Sequence, residues 1–362
     1  MKEEMPALAV CQEPAGRPRI ALALSGGGAR GLAHIGVLDA LSRAGIVVDF
    51  VAGSSMGGLI GALHASGLAV PELIAIAQKF RFPRWFVPGA SLRWEQIFPS
   101  VAAALADTFA ELRTPLALTA TDIETGSQVV LHCGRLLPAV RATCAIPGGL
   151  PPERIDGRWL VDGGVVNLLP VDVAWMTEPD LVIAVRVGGP RARRMPQLDR
   201  KMTGWLAGLG RFLPNPVTAR LSFEMLVRAS EILLERQTAL CAAMTDPEVL
   251  IEPELGDIGL RDFGRLDEAV AAGRRATEAV LPALERLLAS PRPPSTLASD
   301  VHGRYVDPVC AMVIQPTRAR ATVSHGGTTY YFCSANCCDR FLRDPARHID
   351  KAALSFAAGR QL

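Results

Sequence analysis

Twice within its first 67 residues the chain runs from a short apolar stretch, through small residues, into an apolar pattern of helical period. "RIALAL" (Arg19–Leu24) leads through "SGGGARG" (Ser25–Gly31) into "LAHIGVLDALSRAG", where Ile35, Leu38 and Leu41 recur at helical spacing and Gly45 is a natural stop. "VDFVAGS" then leads directly into "SMGGLIGALHASG". Further strands are expected at "PLALTATDI", "SQVVLHC", "RWLVDGG" and "DLVIAVRV", with helical periodicity over Leu221–Leu240 and Leu266–Leu288. Strands that alternate with helices predict an α/β fold, a mostly parallel sheet covered by helices on both faces.

The run Phe50–Pro71 carries no charge and is about the length of a bilayer crossing. It is rich in Gly, Ser and Ala and lacks a flanking charge asymmetry or aromatic belt, so no transmembrane segment is expected. Hydrophobic residues make up 49% of the 362 and charged residues 20%, enough apolar content for a large core. The net charge of +2 gives no reason to expect a nucleic-acid partner. The N-terminal stretch begins acidic and has no long apolar segment of the secretory kind, which points to the cytoplasm, with peripheral contact at the inner membrane open to it.

Pro291, Pro293 and Pro294 mark a linker over 289–303. It separates an N-terminal extension (1–18) and a large domain (19–288) from a small cysteine-containing α+β module (304–350) and a tail (351–362).

Three segments of the large domain carry chemistry. In "SGGGARG", consecutive glycines between a strand and a helix direct backbone N–H groups into one concavity, which favours an anion: a phosphate or the oxyanion of an acyl intermediate. Gly26, Gly28 and Gly31 also satisfy a dinucleotide-binding spacing, with Asp49 downstream. Asp49, however, stands before the second strand and not at its end, which counts against a nucleotide-binding oxidoreductase. "GSSMG" fits G-x-S-x-G between a strand and a helix. In that register Ser55 is the reactive position, Ser54 its small neighbour, and Gly53 and Gly57 the flanks of a tight turn. The bland alternative is a helix N-cap serine. Asp162, in "WLVDGG", ends a further apolar strand, where an Asx turn is the ordinary role and a functional carboxylate the sharper one.

Histidines decide the kind of chemistry. After Asp162 only His302, His325 and His348 follow, all beyond the linker, so a Ser–Asp–His order cannot be assembled. What remains is a pair, Ser55 with Asp162 taking its proton directly.

In this order "SGGGARG", "GSSMG" and "DGG" resemble the patatin-like phospholipases, lipid acyl hydrolases with a Ser–Asp dyad and a three-layer α/β fold. "ATCAIPGGLPPERIDGRWLVDGG" and "DFGRLDEAVAAG" extend the resemblance over about Arg19 to Leu288. The resemblance implies Ser55 as nucleophile and Asp162 as general base. It implies Gly27 and Gly28, with the neighbouring amides of Gly26 and Arg30, as the oxyanion hole. The Arg30 side chain either braces the loop or meets a phosphate. It also implies a lipid substrate at a membrane surface and no cofactor for catalysis. "FRFPRWFVPGASLRW" (Phe80–Trp94) interleaves aromatics with arginines, a pattern that suits either a contact at headgroup level, a lid, or an ordinary packed loop.

The C-terminal module has Cys310 in "DPVCAM" and Cys333, Cys337 and Cys338 in "TTYYFCSANCCDRFLRDP". So small a unit buries little core, which makes a metal staple attractive, and thiolates select zinc, copper(I) or another soft metal. The module resembles the YHS domain, which implies Cys310, Cys333 and Cys337 as candidate ligands, with His325 able to complete the set. A metal-sensing protein with an inactive hydrolase body is the alternative to an enzyme.

Overall fold

The computed structural model describes residues 17–81, 94–177, 179–188, 216–245 and 247–289, and in the C-terminal module 305–309, 313–314, 319, 321–326, 328–332 and 335–346. The stretch 82–93, the stretch 290–304 that holds all but the first residue of the expected linker, and the cysteines Cys310 and Cys333 lie outside them.

The large domain is built on one sheet. Five of its strands are parallel neighbours: β1 (Ile20–Leu24), β2 (Phe50–Ser54), β3 (Leu116–Asp122), β7 (Leu181–Val185) and β8 (Val249–Ile251), in the order β3-β2-β1-β7-β8. Antiparallel strands β4 (Ser127–Leu131), β5 (Glu153–Ile155) and β6 (Arg158–Asp162) complete it beside β3. The predicted, mostly parallel sheet is therefore present.

Period-two alternation sorts β1 between two cores. Ile20, Leu22 and Leu24 enter a large cluster with α1 (Ala33–Arg43), α2 (Ser55–Ala65) and α7 (Leu266–Ala289). Ala21 and Ala23 face the other way and, with Ala52, Ala117 and Ala184, make a shallow surface for α5 (Val171–Trp175) and Ala242 of α6 (Pro216–Thr245). Helices α3 (Val70–Ala77) and α4 (Leu136–Thr143) add further cover to the first face. The uncharged run beginning at Phe50 resolves into β2 and α2, and no helix among the described residues is long and apolar enough to cross a membrane.

Asp162 ends its strand as expected, and that strand, β6, runs antiparallel to β3. On β3, β2 pairs with Leu116–Thr119 and β6 with Ala120–Asp122, while β4 spans Leu118–Asp122. Because β4 overlaps both, β2 and β6 must lie end to end along the opposite edge of β3. They approach from opposite directions and stop on adjacent rungs: Ser54 opposite Thr119, and Asp162 opposite Ala120.

The C-terminal module has the short pair β9 (Tyr305–Val306) and β10 (Val313–Ile314), the hairpin β11 (Ala321–His325) and β12 (Thr328–Phe332), and α8 (Ala335–Arg343). Phe332, Phe341, Cys337 and Cys338 form its small core. Cys338, beside Cys337 in the sequence, is buried in the same core.

Candidate active site

Ser55 is the first residue of α2 and has φ +51, a left-handed conformation that costs a non-glycine residue about 1–3 kcal/mol. The close turn leaves no room on either side. A Cβ on Gly57 would stand 2.4 Å from the Leu24 carbonyl oxygen, and one on Gly53 2.6 Å from the Gly58 Cα. Both backbone polar groups of Ser55 are held: its N–H donates to Thr143 Oγ1 at 2.9 Å, and its carbonyl accepts from Cys144 Sγ at 3.3 Å. Its hydroxyl donates to Asp162 Oδ2 at 2.6 Å. Ser54, by contrast, ends β2 in an extended conformation, fully buried, with no partner for its Oγ among the described residues.

Asp162 is buried and oriented from three sides. Gly164 N–H donates to Oδ1 at 2.7 Å, Asp162 N–H donates to the Ala145 carbonyl at 3.0 Å, and Thr121 Oγ1 donates to the Asp162 carbonyl at 3.0 Å. Burial raises its carboxyl from 3.8 to about 6, against the opposing hydrogen bonds from Ser55 and Gly164. An aspartate so tuned is a stronger base than an exposed one and is still ionised at neutral pH.

The glycine loop abuts this pair: a Cβ on Gly26 would lie 2.8 Å from Ser55 Cβ. Gly28 has φ +55 and faces the Leu260 carbonyl, where a Cβ would stand at 2.4 Å, so only glycine fits. Of the four amides expected to serve an oxyanion, two are engaged. Gly26 N–H donates to the Leu168 carbonyl at 3.0 Å and Arg30 N–H to the Gly27 carbonyl at 3.2 Å. The amides of Gly27 and Gly28 have no acceptor among the described residues. The Arg30 side chain braces the loop: Nε donates to the Ile258 carbonyl at 2.9 Å, and the guanidinium pairs with Glu231 of α6 at 3.4 Å, both side chains buried.

No imidazole among the described residues bonds to Ser55 or Asp162. His34 donates from Nε2 to the Ser25 carbonyl at 2.7 Å, and full burial lowers its pKa to about 4, so it holds the loop as a neutral ring. Asp49 belongs to the opposite end of the strands from the glycine loop. Its carboxylate takes the Ile20 N–H at 2.8 Å and an ion pair from Arg17, where a ribose-binding acid would have to face the loop.

Several supporting residues gave no sequence signal as such. Thr143 and Cys144 lie within "ATCAIPGG", but their contacts run to the backbone of a residue 88 and 89 positions away. Behind the Asp162 turn, Asn167 N–H donates to the Gly163 carbonyl at 2.7 Å and its side chain to Asp172 at 2.6 Å and Gln128 at 3.0 Å. Helix α6 packs over the same turn through Leu234 beside Gly164 and a hydrogen bond from Gln237 to the Val166 carbonyl.

Of the four candidate metal ligands, the structure describes Cys337 and His325. Cys337 is buried in the module's core, and His325 stands exposed with its ring edge-on to Phe341 at 6.0 Å.

Residues 22–175 match the family model for patatin-like phospholipase, and residues 305–351 match that for the YHS domain. An uncharacterized NTE family protein of Mycobacterium tuberculosis is 38% identical over 198 residues, 52% of this chain and 55% of that protein. Patatin-like phospholipase domain-containing protein 6 of Mus musculus is 30% identical over 289 residues, 72% of this chain and 20% of that protein. The chain thus spans about half the length of the first of these curated relatives and a fifth of the second. Among solved structures, VipD from Legionella pneumophila aligns at a TM-score of 0.43 with 14% identity, over 78% of this chain and 71% of that one. The chain carries a domain of the patatin-like phospholipase family, matched over 22–175, followed by a YHS domain, matched over 305–351.

Proposed function

We propose that this protein is a serine acyl hydrolase that cleaves carboxylic ester bonds of lipids, with Ser55 as nucleophile and Asp162 as general base. The observation that carries the proposal is the 2.6 Å hydrogen bond from Ser55 Oγ to a buried carboxylate at a strand-to-helix turn. As Oγ attacks the acyl carbonyl carbon, its proton passes to Asp162 Oδ2. The carbonyl oxygen becomes an oxyanion, and the Gly27 and Gly28 amides at the start of the helical segment supply donors for it. Collapse of the intermediate expels the alcohol, which takes the proton from Asp162. Water then attacks the acyl-serine with the same carboxylate as base, releasing the fatty acid and restoring Ser55.

A lipid substrate is supported by the family match and by apolar side chains next to residues that hydrogen-bond to Asp162. Ile146 follows Ala145, and Val165 follows Gly164, each nearly half exposed. For the C-terminal module, we infer that Cys310, Cys333 and Cys337 hold a soft metal, with His325 as a further donor; thiolate ligands suit such an ion.

A fluorophosphonate probe tests the first proposal. Labelling of the folded chain is expected to vanish in Ser55→Ala and persist in Ser54→Ala, with hydrolysis following in a screen of phospholipids, lysophospholipids and short esters. Absence of labelling in folded wild type would overturn it in favour of a metal-binding protein with an inactive body. Elemental analysis of the purified full chain tests the second: stoichiometric zinc or copper is expected, reduced in Cys337→Ser.

A further inference from the structure

Three consecutive residues at the end of α4 each hold one member of the Ser55–Asp162 pair. Thr143 Oγ1 accepts the Ser55 N–H at 2.9 Å, Cys144 Sγ donates to the Ser55 carbonyl at 3.3 Å, and the Ala145 carbonyl accepts the Asp162 N–H at 3.0 Å. Thr143 Oγ1 in turn donates to the Thr119 carbonyl at 2.7 Å, so its one hydroxyl is used in both senses. Thr119 is the β3 residue opposite Ser54, at the rung where β2 stops. All of these groups are buried.

We infer that Thr143 is a positioning residue for the pair: its hydroxyl ties the strained Ser55 backbone to β3, and so sets the reach of Ser55 Oγ to Asp162. This rests on the reading of Ser55 and Asp162 as nucleophile and base, and it adds a residue that touches neither reacting atom. The physical need is specific. β2 and β6 end on adjacent rungs, but no hydrogen bond between those strands joins the two ends, since both pair with β3. Each end is registered against β3, and the 143–145 segment adds a direct bridge between Ser55 and Asp162, through side chains on one side and backbone on the other. Ser55, at φ +51, is also the residue most in need of restraint, because relaxation to an ordinary helical φ would swing its side chain.

The hydroxyl should matter and the methyl should not. Thr143→Val keeps the shape and removes both hydrogen bonds; Thr143→Ser keeps both. With a fluorophosphonate, Thr143→Val is expected to label on the order of 100-fold more slowly, the scale of an ångström-level misplacement. Ester hydrolysis should lose kcat with KM little changed, and Thr143→Ser should recover most of the rate. Wild-type labelling by Thr143→Val would overturn the inference while leaving the dyad reading intact. A measurement independent of turnover separates the two: crystal structures of both variants. The Ser55 Oγ to Asp162 Oδ2 distance should open beyond hydrogen-bond range in Thr143→Val and stay closed in Thr143→Ser. An unchanged distance in a folded Thr143→Val would overturn the positioning role whatever wild type hydrolyses.

Discussion

Ser55 Oγ and Asp162 Oδ2 lie 2.6 Å apart across 107 positions of sequence, and the carboxyl of this pair is raised by burial to about 6. Turnover needs that carboxyl ionised, so kcat/KM is expected to rise with pH through about 6 and to level off above it. Stability should move the other way. A carboxyl raised from 3.8 to about 6 binds more protons folded than unfolded, so its contribution is fully present below the unfolded value and lost as pH rises through the folded one. At full ionisation the loss is up to about 3 kcal/mol. Asp162→Asn should therefore be inactive and gain more thermal stability, relative to wild type, at pH 8 than at pH 4. Melting curves at the two pH values check it, and an equal change at both would contradict the assigned ionisation.

Ser54 gives a contrasting outcome one residue away. Its Oγ is fully buried and has no partner among the described residues, so the desolvated hydroxyl is a cost without return. Ser54→Ala should raise stability by about 1 kcal/mol, read by denaturant unfolding, while fluorophosphonate labelling proceeds at the wild-type rate.

These two serines also mark the limit of what the sequence discloses. The glycine loop, the β2–α2 turn and the register that selects Ser55 are local patterns: apolar runs broken by small residues, with each choice forced within a few positions. Asp162 is legible as a strand end, but the strand's direction is not, because an apolar run of five residues reads the same either way. The sequence argument thus reaches a carboxylate that the structure brings to the serine on an antiparallel strand meeting β2 end to end. Thr143, Cys144 and Glu231 are less legible still. Their contacts are to backbone or to a side chain far along the chain, and a threonine at a helix end or a glutamate on a long helix carries no local mark of that.

Glu231 yields the next test. It pairs with Arg30 of the glycine loop at 3.4 Å and with Arg228 at 2.9 Å, and its side chain is nearly inaccessible. Removing one partner of a buried pair leaves an uncompensated charge, at a cost of about 3–5 kcal/mol. Glu231→Leu is expected to destabilise by that order, and Arg30→Met by less, because Arg228 still pairs with Glu231. The double variant should lose clearly less than the sum of the two. Additive losses in unfolding experiments would show that the two side chains are not coupled.

The crossing of α1 and α7 supplies the last prediction, away from any chemistry. Gly36 and Gly273 let the two backbones touch: a Cβ on Gly36 would stand 1.9 Å from the Val270 carbonyl oxygen, and one on Gly273 2.0 Å from that of Ala33. Arg274 fastens the crossing with an ion pair to Asp39 at 2.6 Å. A side chain cannot yield here because the obstacle is main chain, so either Gly→Ala change must push the helices apart. Each should destabilise by about 1–3 kcal/mol or more, despite alanine's better helix propensity. Since α7 packs against α1, and α1 holds the Ser25 carbonyl through His34, a separated crossing should also slow labelling of Ser55. Gly45→Ala provides the control. Gly45 has open space around its Cβ position but φ +70, so its cost should come from backbone strain alone and leave the labelling rate unchanged.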